Sequence, residues 1–211
     1  MATYVSNVLF KQEFNAWQDI TISFLHTPPT SNTFNGLAIF LVDGAIPSLT
    51  GGGTGSSNPA FASFDPGIGM VTDSPTSAIS GLLLAVAKDQ SGAFSTANSI
   101  AQFTGGGANR INSTGNIAAR KYDSGTSTFP FISSVKSFAT PFNVDSQVLF
   151  RVSFKRKLQE IVIYKDIQTP DITIKTYFDL NSIPDTVKVG LSYSGDGICY
   201  VRNIAINGDA V

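Results

Sequence analysis

The sequence contains very little cysteine, histidine and glutamate. Its 211 residues include one cysteine, Cys199, one histidine, His26, and two glutamates, Glu13 and Glu160. A single cysteine excludes an internal disulfide, and a single histidine excludes a zinc site made of several histidines. We predict that Cys199 is a buried, inert thiol, because it lies in an apolar segment. We predict that His26 lies at the surface, because it ends a strand just before two prolines.

Charged residues are also scarce. They make up 14% of the chain, against about a quarter in an average globular domain. The net charge of -1 provides no field that would attract nucleic acid or an anionic membrane. No apolar stretch approaches the roughly 20 residues that span a bilayer, and none has the pattern of a secretory signal. We therefore expect synthesis in the cytoplasm without a signal peptide, no nucleic-acid partner and no membrane insertion.

The shortage of glutamate bears on glycoside hydrolysis. The usual mechanism needs two carboxyl groups that flank the bond to be cleaved. Glu13 and Glu160 lie in different segments, and neither has an acidic partner nearby in the sequence. We therefore predict that the protein is not an enzyme. A hydrolase built on two aspartates that folding brings together is the alternative.

The sequence does contain many short apolar or alternating segments separated by polar turns. The most continuously apolar run, Leu82 to Ala87 within residues 79–95, predicts a strand buried on both faces. Turns at 155–157 and 194–197 predict two hairpins. The other predicted strands are 19–26, 37–42, 99–103, 129–135, 148–154, 158–164, 172–178, 186–193 and 198–206, with a hairpin pair within 110–120.

These segments together predict an all-β fold. Many short strands without intervening helices are typical of a β-sandwich or barrel. No shift in composition marks a linker, so we expect one domain over residues 1–211. Residues 50–73 are rich in glycine, and a loop of this length is uncommon in a compact domain unless it is functional or mobile.

The order of the segments resembles the L-type lectin family, in its bacterial or phage form. The similar stretches are Phe34 to Leu41 (FNGLAIFL), the glycine-rich residues 51–70, Gly81 to Ser95, the pair 149–154 and 161–164, and Val189 to Gly195 (VGLSYSG). The resemblance spans nearly the whole chain in the family's order. It implies a concanavalin A-like jelly-roll β-sandwich of two antiparallel sheets.

The resemblance also implies where a ligand would bind. The family's sugar-binding aspartate, which precedes a glycine, is Asn35 here, and its central aspartate is kept as Asp89. An asparagine side chain can both donate and accept hydrogen bonds, but it lacks the charge of a carboxylate. With the turns at one end of the sandwich, the expected ligand-binding residues are Asn35, Gly36, Asp89, Gly92 and Asp196.

The family's calcium site is degenerate in this sequence. The acidic ligand two residues before Asp89 is replaced by Ala87, and the asparagine after the turn glycine is replaced by Ala93. Calcium prefers six to eight oxygen ligands, several of them carboxylates. We therefore expect no bound metal and no other cofactor.

The expected function is surface recognition without catalysis. The resemblance implies carbohydrate binding, with a cell-surface glycan as the partner. A lectin-like domain without an export signal and rich in Gly, Ser, Thr and Asn is typical of a phage or virion surface component, which would also contact capsid or tail proteins. A purely structural virion protein, such as a capsid decoration or fibre, is the alternative. Whether the chain forms a homo-oligomer is left open.

Overall fold

The computed structural model describes twelve strands. The described residues are 4–27, 34–50, 70, 78–89, 116–125, 129, 132, 136–137, 148–155, 160–165, 172–175, 183–195 and 199–211. The strands are β1 (Tyr4–Asn15), β2 (Ile20–Thr27), β3 (Phe34–Asp43), β4 (Leu82–Asp89), β5 (Asn116–Lys121), β6 (Lys136–Ser137), β7 (Val148–Lys155), β8 (Glu160–Lys165), β9 (Ile172–Lys175), β10 (Thr186–Gly195), β11 (Tyr200–Ile206) and β12 (Asp209–Ala210).

The strands form two six-stranded antiparallel sheets. The order in the first sheet is β1-β10-β3-β4-β5-β6, and the order in the second is β12-β11-β2-β7-β8-β9. The predicted all-β sandwich of two antiparallel sheets is therefore confirmed. No helix occurs in the described ranges, so none there could cross a membrane.

The inner core lies between the two sheets and follows from alternation along the strands. In β2 every second residue is buried, beginning with Ile20, Ile22 and Phe24. The ring centroids of Phe24 and Phe150, on the neighbouring β7, lie 5.6 Å apart. The first sheet contributes residues such as Val189 of β10 to the same cluster. Successive side chains of a strand point to opposite faces, so this pattern fixes which face of each sheet is the core.

The outer face of the first sheet is buried as well. A second apolar cluster there combines small strand residues and Phe40 with covering residues from other segments. Its members are Ala38, Phe40, Val42, Met70, Ile79, Leu82, Ala85, Ala87, Ala118 and Phe129. The predicted burial of β4 on both faces is thus confirmed, since Leu82 and residues 84–88 are all buried.

Two buried basic side chains of the first sheet form hydrogen bonds to backbone carbonyls of the segments that cover this outer face. Nη1 of Arg120 donates a hydrogen bond of 2.6 Å to the carbonyl oxygen of Phe129. Nζ of Lys188 donates to the carbonyl oxygens of Gly44 at 2.7 Å and Ile46 at 2.8 Å. Backbone carbonyls near the end of a strand need such donors when they are buried.

One predicted hairpin is confirmed and the other is wrong. Strands β7 and β8 pair directly, as expected from the turn after Lys155. Strands β10 and β11 do not pair, because β10 lies between β1 and β3 in the first sheet and β11 pairs with β2 in the second. Turn residues specify a chain reversal, but they do not specify whether the returning strand stays in the same sheet.

The differences in strand assignment have local reasons. Strand β1 was not predicted, because its pairing with β10 shifts register between Leu9 and Glu13 and the sequence has no regular alternation there. Of the predicted strand 129–135, only Phe129 and Ile132 are described, and neither is in a strand. Strand β5 covers the second half of the predicted pair at 110–120, and the predicted strand 99–103 lies outside the described residues.

We expect the substitution Gly190→Ala to destabilise the protein. A Cβ atom at this position would lie 2.1 Å from Cζ and 2.4 Å from Cε2 of Phe40, whose ring is fully buried. Overpacking of this kind costs about 1–3 kcal/mol. Urea denaturation measures the loss.

The control for this substitution is Gly125→Ala. Its added methyl group would meet only the carboxylate of Asp123, at 3.3 Å, in an exposed turn. Exposed substitutions of this kind change the free energy of unfolding by less than about 0.5 kcal/mol. Equal losses in the two variants would contradict the close packing of Phe40 on Gly190.

Candidate functional site

The strand pairing brings a row of small and polar residues together at one end of the first sheet. Gly36 of β3 is paired with Ser194 of β10 on one side and with Asp89 of β4 on the other. Asp89 is paired in turn with Asn116 of β5, and Asn116 with Ser137 of β6. We call these five residues the polar row. Adjacent strands lie about 4.8 Å apart, so the row extends about 19 Å across the sheet.

The structure places three of the five predicted ligand-binding residues. Gly36 and Asp89 are direct neighbours across β3 and β4. Asn35 precedes Gly36 in β3, and the next residue back, Phe34, pairs with Gly195. Gly92 and Asp196 lie outside the described residues, although Asp196 directly follows Gly195. The assignment of all five to a binding site stays a prediction.

Sequence reasoning did not identify the other members of the polar row. Ser194 was part of a predicted turn and of the lectin-like stretch, Asn116 was part of the predicted pair at 110–120, and Ser137 lay outside every predicted segment. Their contribution follows from register, which decides which residues of separate strands stand side by side. A carboxylate accepts hydrogen bonds, an amide both donates and accepts them, and so does a hydroxyl. Ser194 is fully buried, so the members of the row whose residue types could recognise a ligand rich in hydroxyl groups are Asp89, Asn116 and Ser137.

A buried basic residue lies next to the polar row, on the inner face of the same sheet. Lys88 immediately precedes Asp89, is only 1% exposed, and pairs with Leu37 and Ile117 in the adjacent row of the sheet. Alternation places it on the same inner face as Val86. A lysine is rarely this deeply buried, so this position is an exception to the apolar core around it.

His26 faces Lys88 from the second sheet. Burial, together with the positive charge of Lys88, lowers the pKa of His26 to about 3. The imidazole is therefore neutral at physiological pH. The prediction that His26 lies at the surface is wrong, because its side chain is 1% exposed and continues the buried face of β2 after Phe24.

Cys199 lies near the same lysine. Burial raises the pKa of its thiol to about 12, while the positive charge of Lys88 acts in the opposite direction. The thiol is partly buried and, with this pKa, protonated at neutral pH. A protonated thiol is a poor nucleophile, which agrees with the expected inert cysteine.

The two glutamates do not form a catalytic pair. Glu13 lies on β1 of the first sheet, and its Oε1 is 3.3 Å from Nζ of Lys188. Glu160 lies on β8 of the second sheet and forms an ion pair with Lys175. Retaining and inverting glycosidases need their two carboxyl groups about 5 to 9.5 Å apart, on either side of one bond. Each glutamate here instead neutralises a lysine on its own sheet.

The described residues do not fit the calcium site that the fold family implies. Ala87 is fully buried between its register partners Ala38 and Ala118, so this position presents a methyl group and no oxygen ligand. Within the described part of the chain, no three His, Cys, Asp or Glu side chains converge on one point. Ala93 lies outside that part, so the absence of a metal stays a prediction.

The low pKa of His26 predicts a loss of stability in acid. The unfolded chain binds a proton near pH 6.5, whereas the folded protein does so only near pH 3. Protonation of the unfolded state therefore reduces the free energy of unfolding as the pH falls below 6.5, by up to about 1.4 kcal/mol per pH unit. At pH values well above 6.5 this residue contributes no pH dependence.

The measurement compares urea unfolding of the wild type and His26→Gln at pH 7.5, 6, 5 and 4. Carboxylates titrate in both proteins, so the difference between the two profiles isolates His26. We expect that difference to change by about 3 kcal/mol between pH 7.5 and 4. Because the chain has one histidine, NMR also follows its imidazole directly. Titration near pH 6.5 in the folded protein would contradict the buried position.

We also expect stability to be independent of calcium. Removal of a ligand present at a hundred times its dissociation constant would cost about 2.7 kcal/mol. Because Ala87 supplies no oxygen, thermal melting in EDTA and in millimolar calcium should give the same midpoint. A midpoint that falls by several degrees in EDTA and recovers with calcium would show that other groups complete a site.

The solved structures most informative about this fold are lectins. Lectin II from Ulex europaeus has a TM-score of 0.56 and 16% identity, and the match covers 97% of this chain and 80% of that one. Lectin I-B4 from Griffonia simplicifolia, in its metal-free form, has a TM-score of 0.55 and 15% identity, with 98% and 82% covered. The carbohydrate recognition domain of Emp46p, in its potassium-bound form, has a TM-score of 0.53 and 11% identity, with 100% and 81% covered.

Sequence comparison adds no closer relationship. Neither a protein-family model nor a curated protein matches the chain. At identities of 11–16% the structural likeness establishes the fold alone. The chain therefore has the concanavalin A-like jelly-roll fold of the L-type lectins, as its sequence motifs led us to expect.

Proposed function

We propose that the protein binds carbohydrate non-covalently at the polar row, with Asn35 beside it. The observation that carries the proposal is the direct pairing of Gly36 with Asp89. These are two of the residues that the lectin resemblance assigns to the sugar site, and they come from strands far apart in the sequence. The similarity in fold to solved lectins and to a carbohydrate recognition domain supports the same function.

The position of the polar row is suited to recognition. It lies where β3, β4 and β10 reach the end of the sheet. Binding residues are commonly held at the ends of a rigid scaffold in this way. The carboxylate of Asp89 would accept hydrogen bonds from sugar hydroxyls, and amide groups such as that of Asn35 would add donors.

The ion pairs of the two glutamates support binding over hydrolysis. Glu13 and Glu160 neutralise lysines on separate sheets, so neither is positioned to act with the other on one glycosidic bond. We propose that the protein has no catalytic activity. Release of reducing ends from a glycan that binds would support the hydrolase alternative.

We further propose that the protein acts on the surface of a virus-like particle made in the cytoplasm. The support is compositional, since 19 glycines and many Ser, Thr and Asn residues accompany a low charge content. Display in many copies would also make a weak site effective. A single exposed polar site gains little net free energy because its hydrogen bonds replace those to water. Multivalent display multiplies the apparent affinity through effective concentration.

The test is a glycan array probed with the protein displayed in many copies. We expect binding that falls about tenfold in Asp89→Ala, which loses a charged hydrogen-bond acceptor, and severalfold in Asn35→Ala. Gln18→Ala and Asp19→Ala are matched controls, since they remove an amide and a carboxylate from exposed positions at the start of β2. The controls should bind as the wild type does.

Two results would count against glycan recognition at this site. Binding that is equal in Asp89→Ala and Asp19→Ala would place any glycan elsewhere on the molecule. No binding across the array, with the protein sedimenting together with particles, would favour the purely structural role.

A further inference from the structure

The second sheet exposes a set of arginine, tyrosine and leucine side chains on its outer face. We call this set the arginine face: Leu25, Leu149, Arg151, Tyr164, Tyr200 and Arg202. Register places Arg202, Leu25 and Leu149 in one row across β11, β2 and β7. Arg151 of β7 and Tyr164 of β8 form the neighbouring row on the same face, two residues along β7 from Leu149. Alternation puts these residues opposite the inner core, to which Phe24 and Phe150 belong.

Each guanidinium is held against a tyrosine ring. Cζ of Arg151 lies 3.9 Å from the ring centroid of Tyr164, and Cζ of Arg202 lies 5.2 Å from that of Tyr200. Contacts at these distances are attractive and limit the rotamers of a long side chain. Neither arginine forms an ion pair with a carboxylate of the described chain. The tyrosine rings therefore orientate the two guanidinium groups. No carboxylate among the described residues neutralises their charge.

The charge of this face differs from that of the whole protein. The charged side chains that alternation assigns to it, among the described residues, are Arg151, Lys155, Lys175, Arg202 and Glu160. Glu160 is engaged with Lys175. The chain as a whole has a net charge of -1, whereas positive charge predominates among the described residues of this face.

The two arginines are far enough apart to contact an extended ligand at two points. They lie two strands apart across the sheet and two residues apart along the strands. This separation corresponds to about 12 Å between their backbones. Leu25 and Leu149 fill the interval, and Leu149 is 39% exposed. The surface thus presents two guanidinium groups with an apolar strip between them.

We propose that the arginine face binds a polysaccharide that carries carboxylate groups. A guanidinium forms two parallel hydrogen bonds to one carboxylate, which supplies both affinity and orientation. The sugar rings between two carboxylates would place their C–H faces on Leu25 and Leu149, which lie between the arginines. This site lies on the second sheet and does not include the polar row, so it extends the proposed function to a second, acidic ligand.

A nucleic acid fits this surface less well. Single-stranded chains are bound by successive bases that stack on open aromatic faces in a strongly basic groove. Here Tyr164 and Tyr200 each have a guanidinium against one face. The affinity of nucleic acid also depends on neutralising many closely spaced phosphates, whereas the two arginines of this face lie about 12 Å apart.

The experiment measures binding of polygalacturonate and of its fully methyl-esterified form by isothermal titration calorimetry. The ester keeps the sugar backbone and removes the carboxylate charge. We expect clear binding of the acid form and about a tenfold loss for the double variant Arg151→Ala/Arg202→Ala, the scale of two exposed charge-assisted contacts. The ester should bind weakly to both proteins.

Two control variants separate this site from other effects. Thr173→Ala changes an exposed residue of the same sheet and should leave the affinity for polygalacturonate unchanged. Asp89→Ala, which alters the polar row, should also leave it unchanged. A double variant Arg151→Lys/Arg202→Lys keeps the charge but loses the planar fork, so we expect an intermediate loss. Near-ultraviolet circular dichroism verifies that each variant is folded.

Several outcomes would overturn the proposal. Polygalacturonate that does not bind, or that binds the double alanine variant as tightly as the wild type, would exclude the site. Equal affinity for dextran sulfate, which carries no carboxylate, or for single-stranded DNA would show a general polyanion surface without preference for carboxylates. Loss of polygalacturonate binding in Asp89→Ala would place the acidic polymer at the polar row instead.

Discussion

The first sheet can be buried on both faces only because small residues surround one large ring on its outer side. Gly190 leaves the space that the ring of Phe40 occupies. The neighbouring residues Ala38, Ala85 and Ala87 have small side chains, which leave room for covering residues. Covering residues such as Met70, Ile79 and Phe129 then pack against this surface. A sheet enclosed in this way holds β3 and β4 in fixed register. The positions of Gly36 and Asp89 depend on that register.

Much of the fold could be predicted because apolar periodicity reports burial. The unbroken run from Leu82 to Ala87 correctly indicated a strand enclosed on both sides, and the alternation on either side of the turn after Lys155 correctly indicated the β7–β8 hairpin. The pairing of β10 with β1 and β3 could not be predicted in the same way. Periodicity describes one strand at a time, whereas sheet membership depends on which distant segments compete for its edges.

The sequence predicted only part of the candidate site. The resemblance to lectins identified Gly36 and Asp89, which the structure shows to be neighbours. It did not identify Asn116 or Ser194, whose proximity comes from register between strands distant in sequence. The burial of His26 and Lys88 was also unexpected, because a polar residue near a strand end normally indicates exposure. Nothing in a single sequence shows that two basic side chains face each other across an apolar core.

The strand order has a consequence for how the protein is made. Tyr4 pairs with Gly195, and Tyr200 pairs with Thr27, so strands from the beginning of the chain are completed by strands from its end. During synthesis β1 has no partner in the sheet until β10 has left the ribosome. Closing such long loops is entropically costly, and folds dominated by distant pairings form slowly, on the scale of milliseconds to seconds. Until then, the edges of β2 and β3 that face β11 and β10 remain open to other chains. Rapid pairing once β10 and β11 have emerged therefore protects this fold from aggregation more than early folding of its first strands does.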